Sequence, residues 1–342
     1  MKIGIQSLYS VFNKENNIFN ASAYTIGENL EYSFVLLRDQ LIQKGHSLDT
    51  LDIYPIDDYN KIIFLDYPNF SENELQEFVD LGIDLYLVLL ESELIYPKNF
   101  DENNHTIFKN IFTWNDNLVE NKKYFKLNLS NKIPANFYID IGKINKFCTN
   151  ISGNKTSRES NELYSERVKA IEWFEKNHPD QFDLYGFDWD NFIFAFPFSR
   201  LNYFPFIRKL FGKKYSTYKG SIESKLQTLE QYKFSICYEN IKGNNGYVSE
   251  KIFDCFFAGT IPVYLGEENI NNLIPSNIYI DKRNFKTYDE LYLYMSTMSS
   301  QEYKCYVQAI ENYVNGKEIY PFSAECFVKT IVQNIDLINE TH

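Results

Sequence analysis

Residues 232–266 read YKFSICYENIKGNNGYVSEKIFDCFFAGTIPVYLG, and this stretch decides the fold. It opens on an apolar strand, KFSICYE, and passes through a loop holding Gly243 and Gly246. A helix follows, and the chain leaves it for a second strand, TIPVYLG. Ser249 stands where a helix takes its N-cap, and Gly259 where a helix C-terminus takes a left-handed residue. Ile252, Phe253, Phe256 and Phe257 form one apolar stripe, with Glu250, Lys251 and Asp254 off it. A glycine loop feeding a helix N-terminus leaves backbone N–H groups and a positive dipole end free for an anion such as a diphosphate. Lys251 in the first turn opposes that dipole, so a negative neighbour is expected to compensate it.

Working outward, the same alternation of strand and helix runs through the chain. Residues 2–7 read as a strand, followed by a polar loop to Gly27 and a helix over 28–44 stopped by Gly45. Strands are expected at 47–53 and 61–66, and a helix at 71–81 opened by a Ser-x-x-Glu capping box. The continuous apolar run at 83–90 reads as a buried strand, and 108–114 and 124–129 finish this half. Polar residues around Pro134 mark a linker, and FCTNIS begins a second set of strands near 146. There, a helix over 162–177, a stretch at 181–185 leading into Gly186 and a helix over 224–232 precede the opening stretch. Helices over 288–296, 300–315 and 323–338 close the chain. The pattern predicts two α/β domains, 1–140 and 141–342, the second with a closing C-terminal helix.

Composition narrows the partners. A net charge of −12 over 342 residues argues against nucleic acid or an anionic membrane as the general partner, so a phosphate-bearing ligand needs a local basic pocket. The one basic run, IRKLFGKKYSTYK at 207–219, reads as a donor-phosphate lining, a surface for an anionic acceptor, or a solvated loop. Cys148, Cys237, Cys255, Cys305 and Cys326 are odd in number and far apart, and read as reduced thiols. The four histidines lack ligand-like spacing, and Asp188 and Asp190 in DWD are a weak metal signal. MKIGIQSLYS has no signal-peptide core, and no apolar run approaches the ~20 residues of a membrane span. The expectation is a soluble bacterial cytoplasmic protein, with peripheral contact to the inner membrane left open.

The run YEN…GYVSEKIFDCFFAGTIPVYLG…NI…IP resembles the signature of the family 10 glycosyltransferases, the α-1,3/α-1,4-fucosyltransferases. YKGS with Lys225, YIDKRNF at 279–285, NELYSERVKAIEWF and FDLYGFDW extend the likeness over residues 145–315. In the first 140 residues only LLESELIYP and IFTWNDN share it. The resemblance implies a GT-B fold, two Rossmann-like domains facing across a cleft. It implies inverting transfer of L-fucose from GDP-β-L-fucose to a glycan hydroxyl, without cofactor or metal. The acceptor would be O3 or O4 of GlcNAc or Glc in an oligosaccharide or lipopolysaccharide O-antigen. The alternatives are another GDP-sugar donor, or a non-catalytic glycan- or nucleotide-binding protein on the same scaffold. A Rossmann oxidoreductase is remote, because no GxGxxG follows a strand.

Such a reaction needs a base for the acceptor hydroxyl and positive groups at the leaving diphosphate. By resemblance Lys251 and Arg167 meet the diphosphate, with Arg158 the rival of Arg167, and Glu250 meets the donor sugar hydroxyls. Glu239 and Asn240 end a strand where open α/β sheets bind ligands, and Asn240 is expected at the ribose or sugar. Tyr247 is expected on the ribose, with Lys225, Tyr218 and Arg283 as further donor contacts. Glu91, directly after the strand DLYLVLL, takes the place of the general base, with Glu93 its competitor. One departure falls here: the proline that follows Glu-Ser in the family is Glu93, and Pro97 comes later.

Overall fold

The computed structural model describes residues 1–21, 29–194 and 197–337. The start of the first helix expected at 28, and the end of the last at 338, lie outside the described residues. The chain forms two compact units, each built on a parallel sheet.

The first sheet holds β1 (Lys2–Ser7), β2 (Ser47–Thr50), β3 (Lys61–Leu65), β4 (Asp84–Leu89), β5 (Asn110–Thr113) and β6 (Tyr124–Lys126), in the order β2-β1-β3-β4-β5-β6. Alternate residues of the central strands feed two cores, as a period of two requires. Ile3, Ile5, Ile63, Leu65, Tyr86, Val88 and Phe112 face one side, where α1 (Tyr32–Gln43) packs Leu37 and Leu41 onto them. Ile62, Phe64, Leu85, Leu87 and Ile111 face the other, covered in part by Leu75 of α2 (Glu72–Asp80). The capping box read from Ser71 and Glu74 is formed: the Ser71 hydroxyl accepts from Glu74 N, and the Glu74 carboxylate accepts from Ser71 N.

The second sheet holds β7 (Lys146–Ile151), β8 (Phe182–Tyr185), β9 (Tyr232–Tyr238), β10 (Ile261–Leu265) and β11 (Ile280–Asp281), in the order β11-β10-β9-β7-β8. Its helices are α3 (Tyr164–Asn177), α4 (Pro205–Phe211), α5 (Lys225–Leu229), α6 (Glu250–Ala258), α7 (Tyr288–Thr297) and α8 (Ser300–Asn315). Strand order reverses between β7 and β9, so the carboxyl ends there form the switch point where such sheets bind ligands. The decisive stretch folds as read: β9, loop, α6, β10. Gly259 ends α6 at φ 73°, and a Cβ there would lie 2.4 Å from Ile139 Cγ2, so two constraints demand glycine.

The division differs from the expected 1–140 and 141–342 in three places. It falls between Ile133 and Pro134; residues 245–247 join the first unit, and so does the chain from Glu318 on. The closing helix α9 (Ala324–Gln333) was expected with the second domain. It packs on α1 instead, where Phe327, Val328 and Ile331, with Ile335 beyond it, complete the core around Leu37 and Leu41. Each such buried apolar side chain contributes about 1.5–3 kcal/mol, which decides where an amphipathic helix settles. Among the described residues, no helix is long and apolar enough to cross a membrane.

Candidate active site

In the second unit, chemistry gathers at the carboxyl end of β9. Glu239 is fully buried, and three donors satisfy its carboxylate. Ser249 N donates to Oε1 at 2.8 Å, Ser249 Oγ donates to Oε2 at 2.6 Å, and Lys251 Nζ reaches Oε2 at 3.2 Å. Ser249 is also the α6 N-cap, so one serine joins the helix start to the strand end. The negative group that Lys251 required is therefore Glu239. Burial disfavours the Lys251 charge, but Glu239 and Glu250 outweigh it and raise its pKa. Lys251 also donates to Ser249 Oγ at 2.9 Å. Two of its three N–H groups are thus committed, leaving one for a ligand.

Arg167 projects from α3 to the same strand end, 3% exposed, and its Nη2 donates to the carbonyls of Tyr238 and Glu239 at 2.9 and 3.3 Å. Lys225 lies 3.0 Å from Asp254 and 3.9 Å from Glu250. Partial burial works against the Glu250 charge, yet Lys251 and Lys225 hold its carboxyl below the ordinary range. Asp254 is pushed up to about 6 by burial, against the pull of Lys225. A small cavity of about 30 Å³ is lined by Arg167, Lys225, Lys251, Asp254, Asn150 and Ser152. Three cations thus share the lining of one cavity with a single acid, Asp254, while Glu239 and Glu250 pair with two of them from outside the lining, an arrangement suited to an anion that displaces some of these pairings.

Not every expected donor residue joins them. Asn240 does, by position: its carbonyl accepts from Leu163 N at 2.9 Å, and its half-buried side chain follows Glu239 directly. Tyr218 lies beyond β8, with its hydroxyl donating to Gly186 O at 2.8 Å. Tyr247 belongs with the first unit, its ring edge-on to Trp114 at 4.8 Å. Gly246 beside it, at φ 90°, lets the loop pass where a Cβ would stand 2.2 Å from Trp114 O. Arg283 is engaged by Asp281 at 2.7 Å and by the carbonyl of Glu268 at 2.7 Å. Arg158 is exposed on the loop before α3. None of the residues 207–219 lines the cavity.

In the first unit, the carboxyl ends of β1, β3 and β4 lie side by side and bring Tyr9, Asp66 and Glu91 together. Tyr9 Oη donates to Glu91 Oε1 at 2.5 Å, and burial with the neighbouring Glu91 raises the tyrosine pKa. Asp66 is buried, at φ 62°, and its Oδ1 accepts from Leu90 N (2.7 Å), Glu91 N (2.9 Å) and Asn99 Nδ2 (2.7 Å). Trp114 Nε1 donates to Leu90 O at 3.2 Å. The backbone at Glu91 is thus held by a buried carboxylate and an indole. Glu93 is exposed on the turn that follows. Sequence reading missed Tyr9, Asp66 and Asn99. The available signal was topological: in a parallel sheet, the residues just past neighbouring strands meet.

These strand ends sit in a chain whose residues 203–328 match the family model described as glycosyltransferase family 10 (fucosyltransferase), C-terminal. Over this region the chain is similar to glycosyltransferase family 10. An alpha-(1,3)-fucosyltransferase of Helicobacter pylori is 30% identical over 131 residues, 36% of this chain and 27% of that protein. The human 4-galactosyl-N-acetylglucosaminide 3-alpha-L-fucosyltransferase 9 is 30% identical over 87 residues, 25% of this chain and 24% of its own. The aligned stretches thus span about a quarter of these relatives' length. Over almost the whole chain the fold is similar to that of an alpha1,3-fucosyltransferase crystallised with GDP-fucose. That likeness has TM-score 0.54 and 15% identity, and covers 99% of this chain and 91% of the other. Anabaena Alr3699/HepE with UDP-glucose is as similar in shape, with TM-score 0.55, 10% identity and 97% and 98% coverage. The two Rossmann-like units are therefore of GT-B type, and the family match, not the fold, bears on the nucleotide.

Proposed function

We propose that this protein is a family 10 glycosyltransferase that transfers L-fucose from GDP-β-L-fucose to a glycan hydroxyl, with inversion at the sugar carbon. The observation that carries the reading is the convergence of Arg167, Lys225 and Lys251 on one cavity beside the N-terminus of α6, with Lys225 and Lys251 inside the matched family region. In this mechanism Glu91 takes the proton of the acceptor hydroxyl as its oxygen attacks the anomeric carbon. The bond from that carbon to the diphosphate breaks, and its electron pair leaves with GDP. Lys251 and Arg167 offer positive charge to the developing diphosphate, the role such preorganised groups play best. Glu250 is 40% exposed at its side chain and faces the sugar hydroxyls in this reading. Asn240 contacts the ribose or sugar. The Tyr9 bond supports Glu91 over Glu93, because it fixes one carboxylate oxygen and leaves the other for the acceptor. The acceptor proposed is O3 or O4 of a GlcNAc or Glc residue.

We propose that no metal is needed, the charge being met by side chains. Among the described residues, no three His, Cys, Asp or Glu side chains gather as a metal site. The free thiols of all five cysteines suit a reducing, cytoplasmic compartment.

The test is calorimetric titration with GDP, GDP-fucose, GDP-mannose and UDP in EDTA, followed by turnover of Glu91→Gln and Glu93→Gln. GDP and GDP-fucose should bind, and Glu91→Gln should lower turnover by ~10²-fold or more with donor affinity unchanged. Preference for GDP-mannose would overturn the fucose assignment. No binding of guanine nucleotides would overturn the reading altogether.

A further inference from the structure

Residues 197–214, PFSRLNYFPFIRKLFGKK, contain five basic residues and no acidic one, in a chain of net charge −12. They also concentrate exposed apolar surface. Of the twenty large apolar side chains exposed among the described residues, six lie in these eighteen positions: Phe198, Tyr203, Phe204, Phe206, Leu210 and Phe211. Tyr203 is 84% exposed and Phe206 78%. A solvated loop is polar, and single exposed apolar residues are ordinary, but a contiguous set of this kind marks a surface that something covers.

The segment is anchored from behind. Arg208 pairs with Asp188 at 2.9 Å, and Phe192 N donates to the Arg208 carbonyl at 2.9 Å. Asn202 exchanges two hydrogen bonds of 2.8 Å with the backbone of Phe194. Pro205 starts α4 at the position where proline suits a helix. On α4, Phe206 and Leu210 are one turn apart and share a face. Arg200, Lys209, Lys213 and Lys214 surround the exposed aromatics as exposed cations, Lys213 with a surface contact to Glu172 at 2.7 Å.

We propose that residues 197–214 form a docking surface for an anionic lipid bilayer. Charge favours this partner: in an acidic chain, a segment with five basic residues and no acidic one is where an anionic surface is attracted, which also sets the orientation of the bound protein. The apolar side chains are mainly aromatic with cationic neighbours, the composition that settles at the headgroup boundary, with rings inserted and Lys and Arg at the phosphates. This inference does not depend on the donor or on Glu91, since no residue of the segment lines the cavity at Lys251.

The experiment is co-sedimentation of the full chain with vesicles of phosphatidylglycerol and phosphatidylcholine, and with vesicles of phosphatidylcholine alone. The protein should sediment with the first and not the second, and release as salt is raised. Arg200→Gln, Lys209→Gln and Lys214→Gln in one chain should weaken partitioning about a hundredfold. Phe206→Ser, Leu210→Ser and Phe211→Ser together should weaken it at least as far. Both variants should retain the far-UV circular dichroism of the parent; the charge variant keeps the test valid if the apolar one misfolds. Failure of the parent chain to bind anionic vesicles overturns the proposal, as does equal binding by the charge variant. A dimer dissolved by the apolar substitutions, without vesicle binding, would instead make this face a contact between two copies.

Discussion

The substitution Asp66→Asn should make the first unit more stable at neutral pH while slowing the proposed fucosyl transfer. Burial pushes the Asp66 carboxyl up to about 6 from an ordinary 3.8, even though Leu90 N, Glu91 N and Asn99 donate to it. That gap corresponds to about 3 kcal/mol. The folded carboxyl holds its proton more tightly than the unfolded one. The stability it contributes is therefore complete below pH ~4 and is lost as the pH rises through about 6. The amide introduced by the substitution never ionises and keeps an oxygen for the three donors. Its new N–H₂ group, if unpaired, costs about 1–2 kcal/mol. The net expectation at pH 7 is a gain of about 1–2 kcal/mol, shrinking toward zero or below by pH 4. Trp114, whose indole donates to Leu90 O, is a probe placed at the site. With Trp173→Phe and Trp189→Phe as background, its fluorescence in urea should show the midpoint raised by about 0.5 M or more at pH 7. Turnover should fall, because a weaker acceptor holds the Glu91 backbone less firmly, while the KM for GDP-fucose stays unchanged. A variant less stable than its parent at pH 7, yet equal to it at pH 4, would refute the reasoning. The charged form would then be the one the fold favours.

Lys251→Met should leave the buried Glu239 carboxylate with only its Ser249 partners. We expect about 2–4 kcal/mol lost from the second unit in thermal unfolding, together with weaker GDP binding by calorimetry. An unchanged GDP affinity would place the diphosphate elsewhere. Phe327→Ala removes a 3% exposed ring that meets Phe34 edge-on at 6.2 Å. It should cost about 3–5 kcal/mol, read in the Trp114 transition and not in that of Trp173 and Trp189. Loss confined to the second transition would mean that α9 belongs there.

Much of this molecule was legible from local pattern. The capping box at Ser71, the apolar run of β4 and the strand–loop–helix–strand around α6 are each determined by neighbouring residues, and each formed where the sequence put it. The negative partner of Lys251 was inferred from the helix dipole alone and is found in Glu239. What escaped depends on distance along the chain. Asp66 reads as an ordinary strand terminus until parallel pairing sets Leu65 against Val88 and brings it beside the backbone of Glu91. Tyr9 has no local signal for a bond to a residue 82 positions away. Tyr247 stands inside the donor motif by sequence, yet its ring lies on Trp114, a contact that no periodicity encodes. The destination of α9 was hidden for the same reason: its stripe fits any apolar face, and only the fold shows which one was left open.

The way α9 completes the first unit reverses the usual order of events during synthesis. A nascent chain generally folds its amino-terminal domain while the rest is still being made. Here the ribosome must add about 200 residues after β6 before Phe327, Val328 and Ile331 can cover the core around Leu37 and Leu41. The second unit, apart from the three residues lent at 245–247, is whole by Lys317. The half read later by the ribosome is thus ready earlier, and the half that carries Glu91 waits with one apolar face open. That interval is where a chaperone has most to offer this protein.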